Sequence, residues 1–175
     1  MGNADSSSSD RNAQSILHLV KQVQYKAYVQ LESVFHPLGV TAVQFRILST
    51  LSARPGTSSA ELARLYGVKP QTMIKQIALL EAKGLIAKQT SKANKRLLEL
   101  RLTPGGKACL KQCKTDSAAM ERELLSPLGQ AEQDQLRAFL TRLHDSLSAH
   151  GVQDGDHGDG EEFTREYSRA GVQRG

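Results

Sequence analysis

Between Val68 and Gly84 the chain carries hydrogen-bonding side chains at helical spacing: Lys69, Gln71, Thr72, Lys75 and Gln76, with Pro70 among them. These types donate hydrogen bonds or carry positive charge. That suits recognition of bases and phosphates, not the breaking of bonds. A glutamine amide pairs bidentately with adenine, and a lysine ammonium reaches guanine or a phosphate. A second polar stretch follows from Thr90, and in it stand Lys92, Asn94, Lys95 and Arg96. At the tip of a hairpin these reach backbone phosphates or a narrow minor groove. Ser58 and Ser59, where the preceding short helix begins, complete the expected set of DNA contacts.

Catalytic chemistry finds no comparable constellation. There is no Gly-rich phosphate loop, no metal-spaced set of His and carboxylates, and no nucleophile motif. His144 and His150 stand isolated on or just past the last helix. The expectation is a non-enzymatic chain with no catalytic residue, no metal and no cofactor.

Charge points the same way. The whole chain carries a net +5. From Ser59 to Lys111, eleven basic residues face only Glu61, Glu81 and Glu99, a local excess of eight. A positive field concentrated in mid-chain suits a polyanion such as DNA. No basic amphipathic helix carries the excess to a membrane surface. No apolar run approaches the ~20 residues of a membrane span. The N-terminus lacks the charged and apolar regions of a signal peptide. A cytoplasmic protein with no membrane partner is expected.

The elements that must position these residues are helices with one hairpin. Ile16, Val20, Val23, Ala27, Leu31 and Val34 step by three or four, one apolar stripe along a long first helix. Pro37 and Gly39 end it. Thr41 with Gln44 forms a capping box ahead of a second helix carrying Val43, Ile47, Leu48 and Leu51. Ser58 with Glu61 opens a third, short helix that stops at Gly67. Pro70 then takes the first position of a fourth helix, where its missing N–H costs nothing. Met73, Ile77 and Leu80 are its inner face, and Gly84 ends it. Leu85 and Ile86 start a strand. Leu98, Leu100 and Leu102 alternate with Leu97, Glu99 and Arg101 as its partner, and Thr90 to Lys95 form the tip. Thr103-Pro104 opens a long fifth helix through Leu125. A sixth, after Pro127 and Gly129, carries Leu136, Phe139, Leu140, Leu143 and Leu147.

The fold class that follows is mainly α. It is a winged helix-turn-helix with a two-stranded β-wing, and long N- and C-terminal helices form a dimerisation region. Residues 1–12 read as a disordered, Ser-rich tail. Residues 13–148 form a single domain, with dimerisation helices at 13–36 and 104–148 around the winged helix-turn-helix at 41–103. Residues 149–175 read as a disordered tail with six glycines and the acids Asp154, Asp156, Asp159, Glu161, Glu162 and Glu166. In such a fold the fourth helix enters the major groove, its N-terminal residues nearest the base edges.

Residues 40–107 resemble the core of the MarR family of transcription regulators. The resemblance rests on an ordered set: Gln44-Phe45-Arg46-Ile47-Leu48, Glu61-Leu62-Ala63, Leu80-Glu81 with Lys83-Gly84-Leu85-Ile86, and Leu102-Thr103 with Gly106. Two departures stand out. Asn94-Lys95-Arg96 replaces the family's Asp-x-Arg in the wing. Ile74 and Leu79 stand where the family often has a hydroxyl residue and an arginine.

The resemblance implies a homodimeric repressor on palindromic double-stranded DNA, its two reading helices about 34–36 Å apart. It also implies release by a small aromatic or phenolic acid bound between the dimer region and the DNA-binding lobe. His18, Tyr25, Tyr28, His36 and Arg46 are the candidate lining. Arg46 is suited to pair with a carboxylate and the tyrosines to stack. Two alternatives remain: a winged helix that binds protein instead of DNA, and a redox sensor using Cys109 and Cys113. Peroxide sensors of this family usually carry the reactive Cys in the first helix, and this first helix has none.

Overall fold

The computed structural model of the chain describes residues 15–90, 95 and 98–149. Residues 1–14 and 150–175, which include nearly all of both expected tails, lie outside the described residues, as do Lys92, Asn94 and Arg96 of the expected wing contacts.

Local signals place most of the helix boundaries. α1 spans Ile16–Phe35 and buries only its last residue. A 3-10 turn, His36–Leu38, absorbs Pro37 and closes at Gly39 with φ +67°, a left-handed conformation that residues with a Cβ resist. α2 spans Ala42–Ala53 behind the Thr41/Gln44 capping box, and α3 spans Ser59–Leu65 behind the Ser58/Glu61 box. In each box two N–H groups without helical partners are satisfied reciprocally. α4 runs Pro70–Ala82 with Pro at its first turn.

β1 (Ile86–Thr90) and β2 (Leu98–Leu102) pair antiparallel, with Ile86 opposite Leu102 and Thr90 opposite Leu98. The strand begins one residue later than the sequence suggests. Leu85 is held in the turn, because its N–H bonds Leu80 O and its carbonyl accepts from Thr103 N. Thr90, expected at the tip, belongs to the ladder. The backbone of Gly56 and Thr57 bonds Leu100 on both its N–H and its carbonyl, so the α2–α3 loop braces the root of the hairpin. Leu100 is buried and Leu102 half-buried, but Leu98 is 53% exposed. The alternation is correct in phase; the outer end of the ladder simply extends past the core.

α5 covers Pro104–Leu124 and α6 covers Gln130–Ala149, so Ala149 is the last helical residue and not the first of a tail. The main core joins Ile47, Leu48 and Leu51 of α2 to Leu62, Met73, Ile77, Leu80, Ile86, Leu100 and Leu110. A second cluster gathers Phe35, Val40, Ala42 and Cys113 where α1 meets α2 and α5. There the Phe35 and Phe45 rings lie 4.9 Å apart, tilted. α6 buries none of its residues.

Candidate nucleic-acid interface

Burial of Met73, Ile77 and Leu80 decides the roll of α4 about its axis. On a 3.6-residue period this turns Gln71 and Lys75 directly away from the core, and both are exposed. Lys69, at the N-cap, and Pro70 are exposed as well. Thr72 and Gln76 lie on the flank and are half-buried. Gln76 is not a free reader, because its Oε1 accepts a hydrogen bond from Gln44 Nε2 at 3.3 Å.

Ile74 is 56% exposed beside Lys75, and Leu79 is exposed one turn on. Neither stood among the expected contacts. The signal was available as an apolar residue out of phase with the buried stripe. An exposed apolar side chain here is suited to the methyl group of thymine.

Ser58 is committed elsewhere. Its hydroxyl accepts from Glu61 N at 3.3 Å and donates to the Glu61 carboxylate at 2.6 Å. The Ser58 hydroxyl and the Ser58 N–H, which donates to the same carboxylate at 2.7 Å, hold the Glu61 carboxyl below its ordinary pKa. Ser59 is half-buried in the first turn of α3. Lys95, the one expected wing contact among the described residues, is exposed.

The basic field is partly engaged within the fold. Lys88 Nζ meets Glu81 at 2.7 Å and Arg101 meets Glu99 at 2.9 Å. Lys83 turns inward onto Gly39 O and Gln44 Oε1. The local excess of positive charge survives these contacts, because only three acids are present to offset it.

The five candidate effector residues occupy different surroundings. His18 is exposed, its Nε2 2.8 Å from Gln22 Nε2. Tyr25 is half-buried and His36 exposed. Tyr28 packs against the Phe35 cluster. Burial and a hydrogen bond with Glu32 push its phenol up to about 12. Arg46 lies over the Tyr66 ring at 4.9 Å. A cleft of about 430 Å³ opens elsewhere, lined by Ser52, Lys107, Leu110, Lys111, Lys114 and Thr115, and none of the five lines it.

Cys113 is fully buried and Cys109 half-buried. Burial, together with Cys109 alongside, pushes the Cys113 thiol up to about 12. The thiolate is the reactive species, so Cys113 should resist iodoacetamide at pH 8 until the chain is unfolded. Modification of native protein, read by mass spectrometry, would contradict this burial.

Comparison with known proteins returns one consistent group. The family model described as MarR family matches residues 38–97. The HTH-type transcriptional repressor Rv2887 of Mycobacterium tuberculosis is 34% identical over 114 residues, covering 65% of this chain and 82% of that protein. A crystal structure of the Mycobacterium tuberculosis MarR family protein Rv2887 in complex with DNA superimposes with a TM-score of 0.64 at 30% identity, over 74% of this chain and 97% of the other. The same protein in complex with salicylic acid gives 0.61 at 32%, over 74% and 96%.

Proposed function

Because this chain belongs to the MarR family, we propose that it is a DNA-binding transcriptional repressor, working as a homodimer on palindromic operators and releasing them to a small effector. One observation carries the reading. α4 buries Met73, Ile77 and Leu80, exposes Gln71 and Lys75, and stands directly before a hairpin in a basic segment. A helix so mounted offers hydrogen-bond donors to the major groove, while the hairpin beside it offers charge to the backbone. Lys69, Pro70, Gln71, Thr72 and Lys75 are the residues we place at base edges and adjacent phosphates, with Ile74 against a thymine methyl. Lys92, Asn94, Lys95 and Arg96 are assigned to the backbone or the minor groove. Ser59 is assigned to a phosphate near the start of α3; the Ser58 hydroxyl serves the cap instead.

Dimerisation follows from the outer helices. α1 and α6 expose Ile16, Leu17, Val20, Val23, Leu136, Phe139, Leu140 and Leu143, which water disfavours by roughly 25 cal/mol per Å². A second copy covers them and supplies the second reading helix. The effector class we assign is a small aromatic or phenolic acid, in keeping with the relative solved with salicylic acid. Tyr25, Tyr28, His18, His36 and Arg46 are its candidate contacts; the lysines of the α2–α5 cleft offer further partners for a carboxylate. No helix among the described residues is long and apolar enough to cross a membrane, and the cytoplasm is where we place its action.

Selection of bound duplexes from a random library tests this reading. A palindromic motif is expected, with affinity that falls steeply as salt rises and drops when salicylate is added. Lys75→Ala should relax the preference at one base pair per half-site, at roughly 1–3 kcal/mol. Lys92→Ala should weaken all duplexes alike and reduce the salt slope by about one. Binding that ignores both sequence and salt would sink the proposal.

A further inference from the structure

Gln44 is only 2% exposed, and it does more than close the cap of α2. Its Oε1 accepts from Thr41 N at 3.4 Å and from Lys83 Nζ at 2.9 Å. The same ammonium donates to the Gly39 carbonyl at 2.5 Å. An ammonium group and a backbone N–H can only donate, so Lys83, with the longer bond from Thr41 N, dictates which end of the Gln44 amide is oxygen. The nitrogen end must then find an acceptor, and it meets Gln76 Oε1 at 3.3 Å. Gln76 and Lys83 are two turns apart on one side of α4. One buried amide therefore holds the helix at two points.

The chain of bonds continues toward the dimer region. Ala42 N, in the first turn of α2, donates to Glu32 Oε1 of α1 at 3.0 Å. Glu32 in turn shares a hydrogen bond with Tyr28. Glu32 thus ties α1 to the first turn of α2, Gln44 ties that same turn to both the middle and the end of α4, and the backbone from Thr41 to Gln44 joins the two sets of contacts. An apolar side chain in place of Gln44 would fill the same space without the cost of burying an amide. What the amide adds is direction: a satisfied buried network admits one arrangement and rejects near alternatives.

We propose that Gln44, oriented by Lys83, is a positioning residue for DNA reading. It sets the seat of α4 against the α1–α2 corner and so ties the aim of Gln71 and Lys75 to helix α1. The inference rests on α4 being the helix that enters the groove. It differs from a structural role in what it moves: discrimination between DNA sequences, not affinity for DNA in general.

The test compares the full chain with Lys83→Met, Lys83→Arg and Gln44→Met. Each binds the selected operator and a random duplex over a range of salt, with thermal unfolding followed in parallel. Lys83→Met should lower the operator-to-random affinity ratio about tenfold, with the salt slope unchanged. Lys83→Arg should keep the parent ratio, because a guanidinium donates to the same two oxygens. Adding Gln44→Met to Lys83→Met should lower the ratio little further. Equal weakening on both duplexes with a salt slope reduced by about one would mark Lys83 as a phosphate contact and overturn the proposal. An unchanged ratio would do the same. If Gln44→Met does not fold, the Lys83 pair decides alone, since Lys83 lies exposed at the end of α4. A parent protein with no preference among duplexes would instead sink the reading of α4 itself.

Discussion

Leu140→Asp should leave the chain monomeric and lower operator affinity by about 10²- to 10⁴-fold. The reason begins in α6, twenty residues long with none buried. Leu136, Phe139, Leu140, Leu143 and Leu147 form a stripe along it, and all five are exposed. Most of a helix's stability in a protein comes from packing its apolar face, and among the described residues nothing buries this one. A second copy resolves both problems at once. A carboxylate in the middle of that seam would be buried twice by symmetry, with several kcal/mol of penalty at each site. The separated monomer retains one reading helix and loses the gain from linked half-sites, which is worth about 10²–10⁴ in affinity. Sedimentation gives the mass, and fluorescence anisotropy on the palindromic duplex gives the affinity. Leu140→Met, close in volume, should behave as the parent. A variant of dimer mass with full operator affinity would place the seam elsewhere.

Gly106→Ala should cost about 3 kcal/mol or more, a large share of the 5–15 kcal/mol that holds a typical domain together. Gly106 stands in the first turn of α5, its N–H donating to the Thr103 hydroxyl at 2.9 Å. That hydroxyl donates to Gly84 O at 2.7 Å, and Thr103 N donates to Leu85 O at 3.1 Å. The end of α4 is thereby strapped to the start of α5. A Cβ on Gly106 would lie 1.9 Å from Leu85 O and 2.9 Å from Leu85 C. Both are backbone atoms and neither can swing aside. The joint would have to open, and with it the placement of the hairpin. Gly105→Ala is the control. Its Cβ would meet nothing nearer than 3.6 Å, and alanine suits a helix better than glycine by about 1 kcal/mol. Denaturant unfolding should separate the two variants clearly. Equal stability would mean that the strap yields more easily than its geometry implies.

Which face of α4 is buried and which exposed was legible in the sequence. The position of the α4 stripe follows from Met73, Ile77 and Leu80, and the outward placement of Gln71 and Lys75 follows from that stripe. The fates of Gln76 and Ser58 were less legible. Both are polar residues in a basic, helical stretch, and composition treats them like their neighbours. Ser58 could have been separated, since its capping partner lies three residues away. Gln76 could not, because the atom that engages it belongs to a residue 32 positions earlier.

What the sequence by itself determined is the set of features whose cause lies within about one helical turn. These are the two capping boxes, Pro70 at a helix start, and the buried faces of α2 and α4. Each depends on spacings of three or four residues, and backbone geometry reads such spacings without help. The tertiary structure alone decided which groups from distant segments meet: Lys83 with Gln44, Gly106 with Leu85, and Leu98 with no core to cover it. Those outcomes depend on how helices land on one another, and helix packing is set by the shapes of whole surfaces. Residue order along a single element carries no record of that.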